Sequence, residues 1–307
     1  MNHPIPATIR EYLDQLRSEL RDADSAMVQD ALYDAEEHLR AELAEHPELA
    51  ESAVLARIVT SYGAADEVAE IYRVREGEVE TALRPPSRRP RPAERSLLAR
   101  FFGVALDPRA YAALFYMALS LATGIFYFTW VVTGLSLSAG LAILIIGIPF
   151  IVLFFGTVRA LSFVEGKIVE AMLGVRMPRR PLYVDRDNSI WQRVGAMFTD
   201  PRSWSTLFYM LLMLPLGIAY FTIVATGIAL SLGFVIAPFI HVFGTHEFTG
   251  IGIYHDGLVW TAPMWTMPLF VMAGVLGLFV MLHLARGVGY LHGNLAKHLL
   301  VRPVAAE

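Results

Sequence analysis

The sequence predicts an all-α, polytopic membrane protein: four transmembrane helices arranged as two parallel two-helix repeats, preceded by a small cytoplasmic helical domain. Three observations carry that prediction. Hydrophobic residues make up 55% of the 307 residues and charged residues only 18%, below the roughly 25% charge of soluble domains. Long stretches hold no Asp, Glu, Lys or Arg at all. The apolar part of the chain also repeats itself. An ordinary soluble enzyme is excluded by the first two.

The charges divide the chain. Residues 1–83 carry 19 acidic and 7 basic side chains, whereas residues 84–307 carry 10 acidic and 18 basic. The net charge of −4 hides this split. There is no cysteine, which removes disulfides, thiol catalysis and cysteine-ligated zinc. The first apolar run begins only after residue 100, so no signal peptide is expected at the N-terminus.

Residues 1–83 read as four short amphipathic helices. Ile9, Leu13, Leu16 and Leu20 form one stripe; Val28, Leu32, Ala35, Leu39 and Leu43 a second. Val54, Ile58 and Tyr62 form a third, stopped by Gly63, and Val68, Ile71 and Tyr72 open a fourth behind Asp66-Glu67. Spacings of three and four are the helical period, and acidic residues suit a helix start. So small a core leaves room for a partner to complete it. The acidic face of Asp34, Glu36, Glu37 and His38 is the candidate surface for docking one, although a solvated face satisfies the same pattern. Residues 84–106 form a Pro/Arg-rich juxtamembrane linker, of which 84–95 is expected to be extended and to lie against anionic lipid.

Arg109 and Arg159 bracket 49 residues without a charge, enough for two spans of about 20 residues. Gly134–Ser138 is the expected turn between helices of about 110–133 and 137–158. Ser203–His246 and Gly257–Ala285 are also free of Asp, Glu, Lys and Arg, and two further helices are expected over about 203–227 and 263–285. The apolar run Ile228–Phe243, with Pro238 and His241 inside it, is expected to be an outer-face or re-entrant segment.

The repeat is set by two offsets. Asp107–Ser138 aligns with Asp200–Ser231 at an offset of 93, with 19 of 32 positions identical. At an offset of 127, Arg159, Phe163, Gly166 and Leu173 align with Arg286, Tyr290, Gly293 and Leu300. Residues 107–181 and 200–307 are the two repeats, joined by a connection over 182–199. Each ends in an amphipathic helix that either lies in the membrane interface or continues its span. The second copy carries an outer insertion of about 232–263. Asp107-Pro-Arg109 and Asp200-Pro-Arg202 open the repeats, with Asp suited to cap a helix and Pro to begin it. Arg109 and Arg202 also suit contacts with lipid headgroups.

Lys and Arg collect before the first span, between the repeats and after the last span, and are absent from 232–263. The N- and C-termini are therefore expected in the cytoplasm, with 232–263 outside. His241, His246, Glu247, His255 and Asp256 in that outer segment are candidate ligand residues. Imidazole and carboxylate can hold a metal, but their spacing matches no metal motif, and no metal or other cofactor is expected. No charged residue falls within the four expected spans, which argues against ion-coupled transport. No phosphate-cradling, metalloprotease or nucleophile-elbow motif is present, and no direct contact with nucleic acid is expected.

Two families resemble parts of the chain. Tyr12-Leu13, Glu36-Glu37-His38-Leu39 and Tyr62–Ala69 resemble the HAAS signalling domain, a helical module often paired with PadR-type winged-helix repressors. Tyr62 stands where that pattern has leucine, and its proline is missing. Residues of about 100–302 resemble the sensor domain at the front of many actinobacterial sensor histidine kinases. The repeated Asp-Pro-Arg, Leu214–Gly217 and Arg159–Gly166 carry that likeness. It implies a non-catalytic sensor in a bacterial inner membrane that couples an envelope or lipid signal to a cytoplasmic regulator. No kinase module follows in this sequence, so phosphotransfer is not expected. The alternatives are an accessory subunit of a membrane complex such as an exporter, or a lipid-modifying enzyme using the outer histidines. The accessory role would use membrane-protein partners, or further copies of this chain, packed on Gly124, Gly217 and Gly227.

Overall fold

The computed structural model describes residues 6–83, 97–144, 147–179, 195, 199–243, 252–255 and 258–301. Four helices make the N-terminal head: α1 (Ile9–Glu19), α2 (Ser25–Glu45), α3 (Glu51–Ser61) and α4 (Ala65–Leu83). The stripes read from the sequence become its core. Tyr12, Leu16, Leu20, Leu39 and Leu55 are fully buried there. Ile71 departs from its stripe and is half exposed.

Local chemistry explains the boundaries. Thr8 accepts from the Glu11 N–H at 3.2 Å and starts α1, while Asp24 accepts from the Ala26 N–H at 2.9 Å and starts α2. Gly63 ends the α3 turn at φ +112°, a conformation that side-chain-bearing residues rarely adopt. Its carbonyl accepts the Tyr12 hydroxyl at 3.1 Å, tying α1 to that turn. Tyr72 of α4 donates to Asp34 of α2 at 3.1 Å.

After a short helix α5 (Leu97–Phe102) and a 3-10 turn come the long helices: α6 (Pro108–Leu141), α7 (Gly147–Leu173), α8 (Pro201–Phe243) and α9 (Met267–Leu300). All four are long and apolar enough to cross a membrane. At 1.5 Å per residue even α7, with 27 residues, is about 40 Å long and exceeds a hydrocarbon core of about 30 Å. Phe115, Leu153, Phe208 and Leu269 remain exposed along them, as lipid-facing side chains do. Between α8 and α9 an antiparallel ribbon pairs β1 (Gly252–His255) with β2 (Leu258–Thr261), Ile253 opposite Trp260. The architecture is an all-α polytopic membrane protein with this one small ribbon among the described residues.

The helices differ from the expected bounds in three places. Gly134–Ser138 is not a turn: α6 runs through it to Leu141. Gly134 is there for packing, because a Cβ at that position would strike the Phe154 ring. Residues 228–243 continue α8 without a break, past Pro215 and Pro238; neighbouring groups can satisfy the backbone that such prolines free in a membrane helix. The amphipathic segments 159–173 and 286–300 form the last turns of α7 and α9.

The chain divides into two compact units: Met1–Arg88 with Gly134–Tyr209 and Gly293–Glu307, and Arg89–Thr133 with Met210–His292. In the second unit a Cβ on Gly124 would strike the Met213 backbone, and one on Gly217 would strike the Ser120 backbone. Gly227 faces the Met281 side chain in the same unit. The three glycines expected to receive partner helices are therefore occupied by this chain's own packing.

Candidate functional site

The site grows from the end of α7. Gly174 follows Leu173 at φ +70°, and its N–H bonds the Glu170 carbonyl at 3.1 Å. A left-handed residue here stops the helix and turns the chain back. Residues 175–179 then return along the helix. Met177 is buried and donates its N–H to Glu170 Oε2 at 3.1 Å. Gly293 of α9 leaves room for Val175, whose side chain a Cβ would strike.

This return places Arg176 against the head. Its Nη2 lies 2.9 Å from Asp30 of α2 and its Nε 3.1 Å from Glu76 of α4. Its Nη1 is 3.8 Å from Glu170 of α7 and also donates to the Met177 carbonyl. The Arg176 side chain is only 11% exposed. Burial by itself would lower its pKa, but the hydrogen bond to Asp30 and the charges of Glu76 and Asp30 prevail and raise it. The guanidinium stays charged and joins the head to α7. Nearby, the Arg179 N–H donates to Asp30 at 2.8 Å and its guanidinium pairs with Glu170 at 3.0 Å. Arg202 donates to Gln29 at 3.0 Å, and Lys297 of α9 pairs with Asp24. The head thus seats Asp24, Gln29, Asp30 and Glu76 on three cations, Arg176, Arg202 and Lys297, at or just beyond the ends of the long helices. Arg176 is the buried cation of this junction, and leaving its charge without partners would cost about 3–5 kcal/mol.

Beside the junction lies a cavity of about 300 Å³. Arg159, Asp200, Arg202 and Ser203 supply its polar lining, and Phe155, Val158 and Phe163 part of its apolar wall. Arg159 lies 3.9 Å from Asp200. Asp200 also accepts from the Arg202 N–H at 3.1 Å, capping α8.

Within the long helices two polar clusters are buried. Tyr209 donates to Glu165 at 3.0 Å in the first unit. In the second, the Tyr116 hydroxyl lies 2.7 Å from His292 Nε2 and the Tyr220 hydroxyl 3.3 Å from its Nδ1. Tyr116 and Tyr209 stand 93 residues apart, and Glu165 and His292 stand 127 apart. The pairs Asp107–Arg286, at 3.2 Å, and Asp200–Arg159 are related by the same two offsets. Glu165 lies beyond the span expected over 137–158, which is why its burial was not foreseen.

The residues singled out from the sequence fall in separate places. Glu36 is buried and paired with Arg40 at 2.8 Å, Asp34 accepts from Tyr72, and His38 stacks on Tyr62 at 4.3 Å. Of that quartet only Glu37 is exposed. Arg202 lines the cavity; Arg109 is half-buried, with its N–H on Asp107 at 3.1 Å. His241 lies near the end of α8 and His255 ends β1, whereas His246, Glu247 and Asp256 lie outside the described residues. Residues 84–96 of the linker lie outside them too. No cluster suited to a metal occurs among the described residues. The residues of the junction were missed because Arg176 and Asp30 are 146 residues apart and share no local pattern.

The family described as "Putative sensor" matches residues 116–300, well over half of the chain. The chain belongs to this sensor family. The part matched to the sensor family takes in Glu165, Tyr209, His292, the Arg176 turn and the cavity's long-helix lining, and leaves the head outside it. Nothing among the curated proteins and nothing among the solved structures matches the chain.

Proposed function

We propose that this member of the sensor family is a non-catalytic signalling protein whose long helices respond to an envelope or lipid signal and whose head passes the response to a cytoplasmic regulator. The observation that carries the reading is Arg176, shared between Asp30 and Glu76 of the head and Glu170 of α7. A small displacement of the α7 end changes the partners of a buried guanidinium.

The likeness of residues 8–83 to the HAAS domain supports a PadR-type winged-helix regulator as the partner. The Lys and Arg distribution supports a cytoplasmic head, cytoplasmic termini and an outer ribbon. The related contacts at offsets 93 and 127 support a pair of parallel repeats. Of the acidic quartet, Glu37 keeps the exposure that docking needs.

Affinity capture from native membranes tests the reading. The full chain and its Arg176→Gln variant are compared for the soluble proteins they retain. A DNA-binding regulator whose yield differs between the two supports the reading. Equal yields, or spanning partners alone that persist after removal of residues 1–95, point to an accessory subunit of a membrane complex.

A further inference from the structure

We infer that the cavity bounded by Arg159, Arg202 and Ser203 binds an anionic lipid, holding it by the phosphate of its headgroup. The level of the cavity supports this first. Arg159 closes the first charge-free stretch and Arg202 immediately precedes the second. Both stand where polar sequence gives way to apolar, the level of lipid phosphates.

The lining has the matching chemistry. Two guanidiniums offer planar, paired donors for phosphate oxygens. Asp200 offsets one of the two charges. The remaining single positive charge suits a phosphodiester better than doubly charged inorganic phosphate. Phe155, Val158 and Phe163 provide a wall for the first carbons of the lipid. A volume of about 300 Å³ is small for a ligand pocket. It takes a headgroup phosphate and its nearest carbons, with the acyl chains left in the bilayer.

Ser203 is the independent sign of an occupant. It is 6% exposed, and its hydroxyl is buried with no hydrogen-bond partner among the described residues. Buried hydroxyls are ordinarily paired. The start of a long helix does not itself call for one: the residue 93 positions earlier is Ala110, fully buried and without a polar group. Ser203 lines the cavity, and rotation about its Cα–Cβ bond would turn the unpartnered hydroxyl toward a phosphate oxygen there. Gln29 of the head lines the same cavity and accepts from Arg202. A lipid that draws Arg202 away loosens the head; this coupling rests on the signalling reading above, but the binding does not.

The test uses the purified full chain in a neutral detergent, with native mass spectrometry to count and titrate bound lipid. No regulator is present, so its outcome is separate from that of the capture experiment. Dioctanoyl phosphatidylglycerol is expected to bind once per chain. Arg159→Gln and Ser203→Val should each weaken it about tenfold. Arg286→Gln, the counterpart cation outside the cavity, should not change it. Thermal unfolding without lipid confirms that the variants fold. The inference is overturned if inorganic phosphate displaces the lipid at equal concentration, or if dioctanoyl phosphatidylcholine binds as tightly. It is equally overturned if Arg286→Gln weakens binding as much as Arg159→Gln.

Discussion

The Tyr209 hydroxyl donates to Glu165 Oε1 at 3.0 Å, and both side chains are almost wholly buried. A hydrogen bond is worth about 0.5–1.5 kcal/mol net, and a buried acceptor left without its donor costs about 1–3 kcal/mol. Tyr209→Phe keeps the ring and deletes that donor. It should lower the unfolding temperature of the full chain in detergent by several degrees. Glu165→Gln keeps an acceptor for Tyr209 and should cost less. Equal stability of Tyr209→Phe and the parent chain would show that the bond carries no net weight.

Backbone approach at Gly124 and Gly217 gives a second expectation. Alanine at either position would drive its Cβ into the backbone of Met213 or Ser120. Backbone cannot move aside as a flexible side-chain tip can, so each substitution should cost about 1–3 kcal/mol, as overpacking does. Gly156→Ala and Gly233→Ala, where a Cβ would meet nothing within 4 Å, should leave stability nearly unchanged. Thermal unfolding of the four single variants separates these outcomes. Equal losses in all four would mean that close approach is not what these glycines provide.

The head should be sensitive to alkali. Burial raises the pKa of Tyr12, with the neighbouring Tyr62, Asp66 and Glu67 adding to it. Burial and then Asp34 raise that of Tyr72. Both folded values lie above the ordinary tyrosine value of 10.0. The stability tied to the neutral phenols is therefore complete below about pH 10 and falls as the pH rises beyond it. Hydrogen exchange of α1 and α4 in the full chain should accelerate more between pH 9 and 11 than the intrinsic rate does. Tyr72→Phe removes one titrating group and should flatten that rise; an unchanged slope would exclude Tyr72 as a source.

The legible parts of this protein were those written in short-range pattern. Hydrophobic spacings of three and four residues marked the four head helices, and Leu16, Leu39 and Ile58 are buried where those stripes placed them. Runs without charge marked the four long helices, because a bilayer core imposes length and apolarity on each segment by itself. The Asp-Pro-Arg entries were also local, and Asp107 and Asp200 cap α6 and α8 through the N–H two residues on.

Helix ends were less legible. Gly134 read as a turn because glycine often breaks helices, yet its role is to admit the Phe154 ring. That role is visible only once α6 and α7 lie together. The run after Gly227 read as a separate segment because Pro238 and His241 interrupt its apolar pattern, whereas α8 carries both to Phe243.

By itself the sequence determined the fold class, the number of apolar helices and the division between an acidic head and a cationic body. Each of these depends on composition and periodicity within one segment. Tertiary structure alone decided which acids meet which cations. Asp34 and Glu36 look no different in sequence from Asp30 and Glu76, yet the first pair turns inward to Tyr72 and Arg40 and the second pair holds Arg176. Glu76 and Arg176 lie 100 residues apart. A charge carries no periodicity that names its partner, so the pairing follows from packing.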